Sequence, residues 1–363
     1  MSILNFIKKF FFLINIAFGL YSLLVYQLVL SADIKHWLAG FLMLTFPLVL
    51  VGHLFFMLVW VLGKSAKALL SLFILLITYS ILDRTLKINP PDIKPNPPFT
   101  FSLLSYNLMY GDYHQFVTGT NTKTAVGLSN LMDTLTSDVK CFQEMYNTEK
   151  YHEFDLLRRI SKRNAYYVYM HSNTENDKGQ GAIGLAIFSR FPIISKKELY
   201  WPPNNNGMLS ADIVVGNDTI RVINAQLKSM GIRVQRILKK DNKIDRMETR
   251  NVLSKLKVGF EDRGLQVNLL ENWISESPYP VILAGDFNEL PYGYAYGRIR
   301  KKLHNAFEET GFGFGFTYHK VLSFLRIDNQ FFDDKYIKNI DFLTMSNVPF
   351  SDHYPIKAWY LMK

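Results

Sequence analysis

Residues 284–288 read Ala-Gly-Asp-Phe-Asn, and 64 positions beyond Asn288 (288 to 352) stands the Asp of a Ser-Asp-His triplet, 351–353. Asp286 and Asn288 leave the apolar run 281–284, which has the form of a short buried strand. Strand residues i and i+2 share a face, so a carboxylate and an amide converge on one point. That pair suits an Asp that orients or deprotonates water beside an Asn that holds a phosphate oxygen. Read alone, the motif is equally an Asp-containing turn after a strand. Asp352 and His353 are adjacent, which lets one side chain face a cation while the other faces a scissile phosphate. An imidazole needs a partner to fix its tautomer, and Asp328, in Arg326-Ile327-Asp328, is the candidate. Glu144 and Asn107 each follow a strand-like run. A lone carboxylate such as Glu144 is the usual anchor for Mg²⁺, which keeps most of its waters and takes one or two protein carboxylates. Asn107 can assist by hydrogen bonding. Together these residues supply what metal-assisted phosphoester hydrolysis requires.

The elements that must position them alternate between strands and helices from about residue 100. Strands are expected at 101–108, 139–143, 166–171, 184–189, 212–215, 219–227, 281–285, 331–332 and 357–361. Helices are expected at 127–135 and 266–275. Gly216-Asn217-Asp218 between two strand runs is a hairpin signal. Interleaving of this kind predicts an α/β domain with mixed sheets. The stretch 233–263 holds ten Lys and Arg against five acids. It reads either as a solvated helical face or as a basic flap over an anionic substrate or membrane headgroups. The Tyr292, Tyr294 and Tyr296 cluster reads as a substrate rim or as helix packing. The glycine-rich 311–315 lacks the strand and helix of a nucleotide loop.

The ordered set Ser-Tyr-Asn (105–107), Gln-Glu (143–144), Phe-Ser-Arg-Phe-Pro-Ile (188–193), Gly-Asp-Phe-Asn (285–288), Arg-Ile-Asp (326–328) and Ser-Asp-His-Tyr-Pro (351–355) resembles the endonuclease/exonuclease/phosphatase superfamily with the DNase I-like fold. The resemblance spans about 98–363. It implies a four-layer α/β sandwich with two mixed sheets between helical layers, and a metal-dependent phosphoric ester hydrolase. By resemblance, Glu144 binds Mg²⁺, for which Mn²⁺ can substitute, and Asp352 contributes to the metal side. Asn107 supports the metal and phosphate shell, Asp286 activates water, and Asn288 positions the phosphate. Asp328 orients His353, which transfers a proton or stabilises transition-state charge. Many members carry His in Asn-x-His-Leu, whereas residues 224–227 read Asn-Ala-Gln-Leu, with Gln226 at that place. Gln donates a hydrogen bond but carries no charge, so Gln226 is read as a neutral phosphate clamp. Apurinic endonuclease relatives place Tyr there.

Composition adds an attachment. Residues 1–95 hold eight Lys and Arg, three Asp and no Glu, and the remainder of the chain holds 33 Lys and Arg and 28 Asp and Glu, so the net +10 divides as +5 and +5. A basic balance suits an anionic partner without choosing among nucleic acid, phospholipid and phosphate ester. Cys141 is the only cysteine, which excludes an intramolecular disulfide and a Cys-based zinc site. Three apolar runs, 10–30, 37–62 and 66–82, are expected to cross a membrane, making 1–87 a membrane domain. The second run argues against a cleaved signal peptide at the first. Lys8 and Lys9, then Lys64 and Lys67, flank the proposed inner ends, so the positive-inside bias puts the catalytic domain on the non-cytoplasmic side. Arg84, Lys87 and Lys94 oppose that assignment. His53 reads as an intramembrane ligand or a helix-packing residue. Five prolines in 88–98 mark an extended linker, and 99–363 is the catalytic domain. The expected function is a membrane-anchored phosphodiesterase acting on a lipid or other envelope phosphodiester. A tethered nuclease on DNA or RNA and an inactive phosphate-binding module are the alternatives. The expected partners are a phosphate-ester substrate and membrane lipid, with no protein partner.

Overall fold

The structure, a computed structural model, describes residues 3–89, 100–173, 181–201, 207–229, 246–320 and 324–363. Of the expected linker at 88–98, residues 90–98 lie outside these residues, as do 233–245 of the basic stretch 233–263. Two compact units divide the chain. One is Met1–Thr85 with Gly231–Gly264 and Pro291–Arg298, and the other is Leu86–Met230 with Leu265–Leu290 and Ile299–Lys363. The linear division expected from the sequence is therefore interrupted by two excursions.

In the first unit, α1 (Ile3–Ser31) is a single long apolar helix. The expected second span is instead two helices, α2 (Trp37–Leu44) and α3 (Phe46–Leu62), bent by 41° at Thr45. Pro47 in the first turn of α3 has no N–H to continue the α2 ladder, and Thr45 turns its hydroxyl onto the Leu42 carbonyl at 2.6 Å. The third run also divides, into α4 (Ala68–Ile77) and α5 (Tyr79–Leu82). By length and composition, one helix is able to cross a membrane, or two if the bent pair is one span. His53 packs fully buried among three helices. Its Nε2 meets Ser22 Oγ at 2.9 Å and its Nδ1 meets Ser71 Oγ at 3.2 Å, while Ser71 donates to Asn15 Oδ1 at 3.1 Å. This network pairs buried side chains of three helices with one another.

Apart from a short antiparallel pair, Lys87–Ile88 with Phe312–Gly313, the described strands of the second unit number twelve and form two six-stranded sheets. They are β1 (Thr100–Asn107), β2 (Val139–Asn147), β3 (Tyr166–Asn173), β4 (Ala182–Ser189), β5 (Ile193–Tyr200), β6 (Gly207–Val215), β7 (Asp218–Gln226), β8 (Val281–Asp286), β9 (His304–Asn305), β10 (Asp328–Phe332), β11 (Ile337–Thr344) and β12 (Ile356–Met362). The first sheet runs β11-β12-β1-β2-β4-β3 and the second β9-β10-β8-β7-β6-β5. Each sheet has one parallel pair, β1 with β2 and β7 with β8, and its other neighbours are antiparallel. The facing sheets share a core that includes Phe101, Leu103, Leu209, Val222 and Ile282. Outside the first sheet, α6 (Lys123–Thr134) buries Leu128 and Met132. Outside the second, the C-terminal part of α7 (Arg246–Ser275) holds Trp273 under Lys197 of β5 at 4.7 Å. These are the four expected layers. Strand β5 escapes the sequence pattern because it is an edge strand with mostly exposed side chains.

The topology delivers the chemistry to one end of both sheets. Asn107 ends β1 and Glu144 sits near the end of β2, while Gln226 and Asp286 end the parallel pair β7–β8 as register partners. Asp328 opens β10 directly opposite Asp286. Gly285 makes that end fit. Its φ is +144°, and a Cβ there would lie 1.9 Å from the Ala225 carbonyl oxygen. Gly285→Ala is expected to cost about 3 kcal/mol or more, from backbone strain plus overlap within a paired strand. A thermal or chemical unfolding curve on the variant checks this.

Candidate active site

Three segments carry site residues in a left-handed backbone conformation that a side chain resists. Glu144 has φ +51°, where β2 bulges against β4, and Asn288 has φ +49° in the turn after β8. Met109, Tyr110 and Asp112 follow β1 in the same region. The bulge at Glu144 turns its carboxylate out of the sheet pattern and toward the other strand ends.

Asp286 is the hub. Its Oδ2 accepts from Asn107 Nδ2 at 3.1 Å and Asn288 Nδ2 at 2.9 Å, and its Oδ1 accepts from the Asn288 backbone N–H at 2.8 Å. His353 turns Nδ1 to Asp328 Oδ2 at 2.8 Å. Its Nε2 lies 4.0 Å from both Asp286 Oδ2 and Asp352 Oδ1. The Asp328 backbone N–H is held by Thr317 Oγ1 at 3.1 Å, and Tyr318 sets its ring edge-on to His353 at 5.1 Å. Ser351 donates to the Asn107 carbonyl at 2.7 Å and accepts from the His353 N–H at 3.2 Å, tying the Ser-Asp-His turn to the end of β1.

All the sequence-derived site residues are brought together. Two amides, however, point elsewhere than expected. Gln226 Nε2 donates to Glu144 Oε1 at 2.6 Å. Asn288 Nδ2 divides its hydrogens between Asp286 and the Leu227 carbonyl at 3.1 Å. Both amides hold carboxylates, which attract N–H donors more strongly than a neutral acceptor does. Tyr110, Tyr318 and Lys320 also border the site, with Lys320 Nζ 3.9 Å from Asp352 Oδ2. No spacing signal in the sequence marks them. A tyrosine after a strand is common, and only the fold brings 110 and 318 to the same cleft.

The electrostatics follow from burial and crowding. Burial pushes the Glu144 carboxyl above the usual range, partly offset by His353 and Gln226. Asp286 is likewise raised, first by burial and then by Asp328 and Glu144, against the pull of His353. Burial alone would lower His353, but Asp328, Asp286 and Asp352 overcome it and hold the imidazole up to about 10. Asp286, Asp328 and His353 each bring a ligand atom to within 4.8 Å of the others. An imidazolium has no lone pair to give, so the donor set for a cation is the carboxylates. Glu144, Asp286, Asp328 and Asp352 outnumber the single imidazolium, and Asp328 Oδ1 is buried without a hydrogen bond. This residual negative charge on hard oxygens fits a divalent cation of the Mg²⁺ or Mn²⁺ type.

Residues 104–353 match the endonuclease/exonuclease/phosphatase family, well over half of the chain. The chain belongs to that family. Its members are metal-dependent phosphoesterases, and this enzyme is accordingly a metal-dependent phosphoric ester hydrolase. Residues 8–85 match a domain of unknown function, DUF8431. No curated protein matches the sequence. Among solved structures, this family member is similar to a D. rerio TDP2 humanized by 14 mutations, at 16% identity over 72% of this chain and 99% of that one, with a TM-score of 0.48. Sphingomyelinase C from Streptomyces griseocarneus gives 14%, 73%, 99% and 0.48. An endonuclease/exonuclease/phosphatase family protein from Leptotrichia buccalis gives 18%, 71%, 98% and 0.47.

The raised His353 has a sign that can be measured. A group whose folded pKa lies above its ordinary 6.5 stabilises the fold fully below about 6.5 and loses that contribution as pH rises through about 10. Melting in chelator between pH 6.5 and pH 10 is expected to fall more steeply for the parent protein than for His353→Gln. Parallel slopes would contradict the assignment.

Proposed function

We propose that this is a membrane-anchored, Mg²⁺-dependent phosphodiesterase whose catalytic unit faces the non-cytoplasmic side and cleaves a lipid or other envelope phosphodiester. The observation that carries the chemistry is His353 Nε2 standing 4.0 Å from both Asp286 and Asp352 while Nδ1 is held by Asp328. That gap accepts an oxygen between a base and an acid. Asp286, raised toward neutral pH, takes the proton of the attacking water. Asn107 and Asn288 position Asp286. His353, protonated and oriented by Asp328, gives its Nε2 hydrogen to a phosphoryl or leaving oxygen. Glu144 and Asp352 would hold the cation, which when bound supplies positive charge against that developing on the phosphoryl oxygens. Gln226 positions Glu144.

The membrane part of the reading rests on the apolar helices α1 to α5. In this reading α1, the bent α2–α3 pair and α4–α5 make three passes. Residues 68–82 rise about 22 Å at ~1.5 Å per residue, short of about 30 Å of hydrocarbon, a mismatch that local bilayer thinning accommodates. A membrane tether raises the effective concentration of a membrane-borne substrate, which favours a lipid over DNA.

The full chain with Mg²⁺, assayed on phospholipid or sphingomyelin vesicles and on plasmid DNA, separates the readings. Vesicle turnover that disappears with EDTA and drops about 10²–10⁴-fold in Asp286→Ala is the expected result. DNA cleavage with steep salt dependence would replace the lipid assignment with the nuclease one. Gln226→Ala is expected to weaken apparent Mg²⁺ affinity about 10–100-fold, the usual effect of losing a partner to a metal ligand. A Mg²⁺ titration at saturating substrate reads it, and an unchanged midpoint would remove Gln226 from that role.

A further inference from the structure

Helix α7 has a stripe that runs off its protein partners. Residues 250, 253, 257, 260 and 264 follow 3-4-3-4 spacing and so share one face. At the C-terminal end of the stripe, the Phe260 ring packs so closely on α2 that a Cβ on Gly40 would lie 2.5 Å from it. Gly264 lies against Lys35 in the turn before α2, where a Cβ would come 2.8 Å from Lys35 Cε. In the middle, Lys257 sets its ammonium over the Trp37 ring at 5.7 Å. Beyond that point the same face is uncovered among the described residues: Leu253 is 48% exposed and Arg250 is exposed. All of these residues belong to the first compact unit.

The partners locate the stripe. Lys35 and Trp37 stand in and just after the turn between two apolar helices, where a basic and an indole side chain mark a membrane–water boundary. Away from the turn, the exposed face of α1 carries Leu20, Leu23 and Leu24, and that of α3 carries Leu48 and Val51. A helix face that leaves α2 at such a boundary meets the bilayer surface. Its uncovered residues suit that place, with Leu253 for the acyl boundary and Arg250 and Lys257 for lipid phosphates.

We infer that the N-terminal half of α7 lies in the plane of the bilayer surface, on the side of the 32–36 turn, with Leu253 in the interface and Arg250 and Lys257 on anionic headgroups. The inference rests on the membrane reading above. It also fixes topology: the 32–36 turn and α7 share one side, so the chain between them crosses an even number of times after that turn. The α2–α3 pair and α4–α5 supply two crossings.

Variants of the full chain that each carry one introduced cysteine, in phosphatidylglycerol-containing proteoliposomes, test this. Cys141 is completely buried, so an environment-sensitive fluorophore reports only the introduced residue. Leu253→Cys is the probe, Leu20→Cys on α1 the membrane control and Lys338→Cys on β11 the solvent control. Leu253→Cys is expected to be quenched several-fold more by a headgroup-region lipid spin label than Lys338→Cys, and protected from aqueous iodide. In a Leu253→Cys background, Arg250→Glu with Lys257→Glu is expected to reduce that quenching. Iodide access at Leu253→Cys equal to that at Lys338→Cys, with Leu20→Cys still lipid-quenched, overturns the inference and leaves the membrane reading standing. Protection of Leu253→Cys from both quenchers means protein covers the face and also overturns it. Absence of lipid quenching at Leu20→Cys overturns the membrane reading and the inference together.

Discussion

Four carboxylates, Glu144, Asp286, Asp328 and Asp352, face one imidazole in a cleft from which water is largely excluded. Burying charge is costly unless each charge finds donors or an opposite charge. The cost dictates much of the surrounding arrangement. Three amides, those of Asn107, Gln226 and Asn288, are committed to carboxylate oxygens, and the Asn288 backbone N–H is committed with them. The imidazole is held protonated by its neighbours rather than by solvent. Even so the carboxylates remain in excess, and burial keeps Glu144 and Asp286 reluctant to ionise. A divalent cation would offset that excess, in keeping with a metal-dependent hydrolase.

The same crowding explains the backbone. Donors can reach one point from two sheets only if both sheets end there, and each does so with a parallel pair. Strand ends supply Asn107, Gln226 and Asp286, but Glu144 and Asn288 have to leave strand geometry to join them, and both do so with positive φ. Gly285 lets β8 approach Ala225 closely enough for Asp286 to reach Asn107 of the other sheet.

The sequence made the site legible where its residues sit at the ends of apolar runs, because strand ends and chemistry coincide there. Asp328 as the partner of His353 was readable from its place in the motif order, and the 2.8 Å contact agrees with it. The amides of Gln226 and Asn288 were less legible. Residue type tells that an amide can donate, but only the positions of the carboxylates decide which acceptor it finds. Tyr110 and Tyr318 were invisible because their relevance comes from loops that converge only after folding. Among the elements, β5 carries Lys196, Lys197 and Glu198 in succession and lacks the alternation that betrays a half-buried strand, whereas β11 buries Ile337, Asn339 and Phe342, a set interrupted by an asparagine that residue type alone does not mark as inward-facing. The apolar runs 37–62 and 66–82 had the composition of single spans, yet Thr45 with Pro47 and Thr78 divide them.

The N-terminal helices are more than a leader placed before an autonomous domain. The family match begins at 104, but Gly231–Gly264 and Pro291–Arg298, both inside it, group with residues 1–85. Phe46 packs on Tyr292 at 5.4 Å, Gly40 on Phe260, and Ala32 on Gly297. These pairings are separated by more than two hundred residues of chain, so their closure entropy has to be met late, after most of the catalytic unit exists. The described packing of these helices draws on residues as far along the chain as 298. Tyr292 stands four residues after Asn288, the residue that holds Asp286. A chain cut before residue 96 would leave Phe260 and Tyr292 without these partners, exposing aromatic surface that is buried in the full chain.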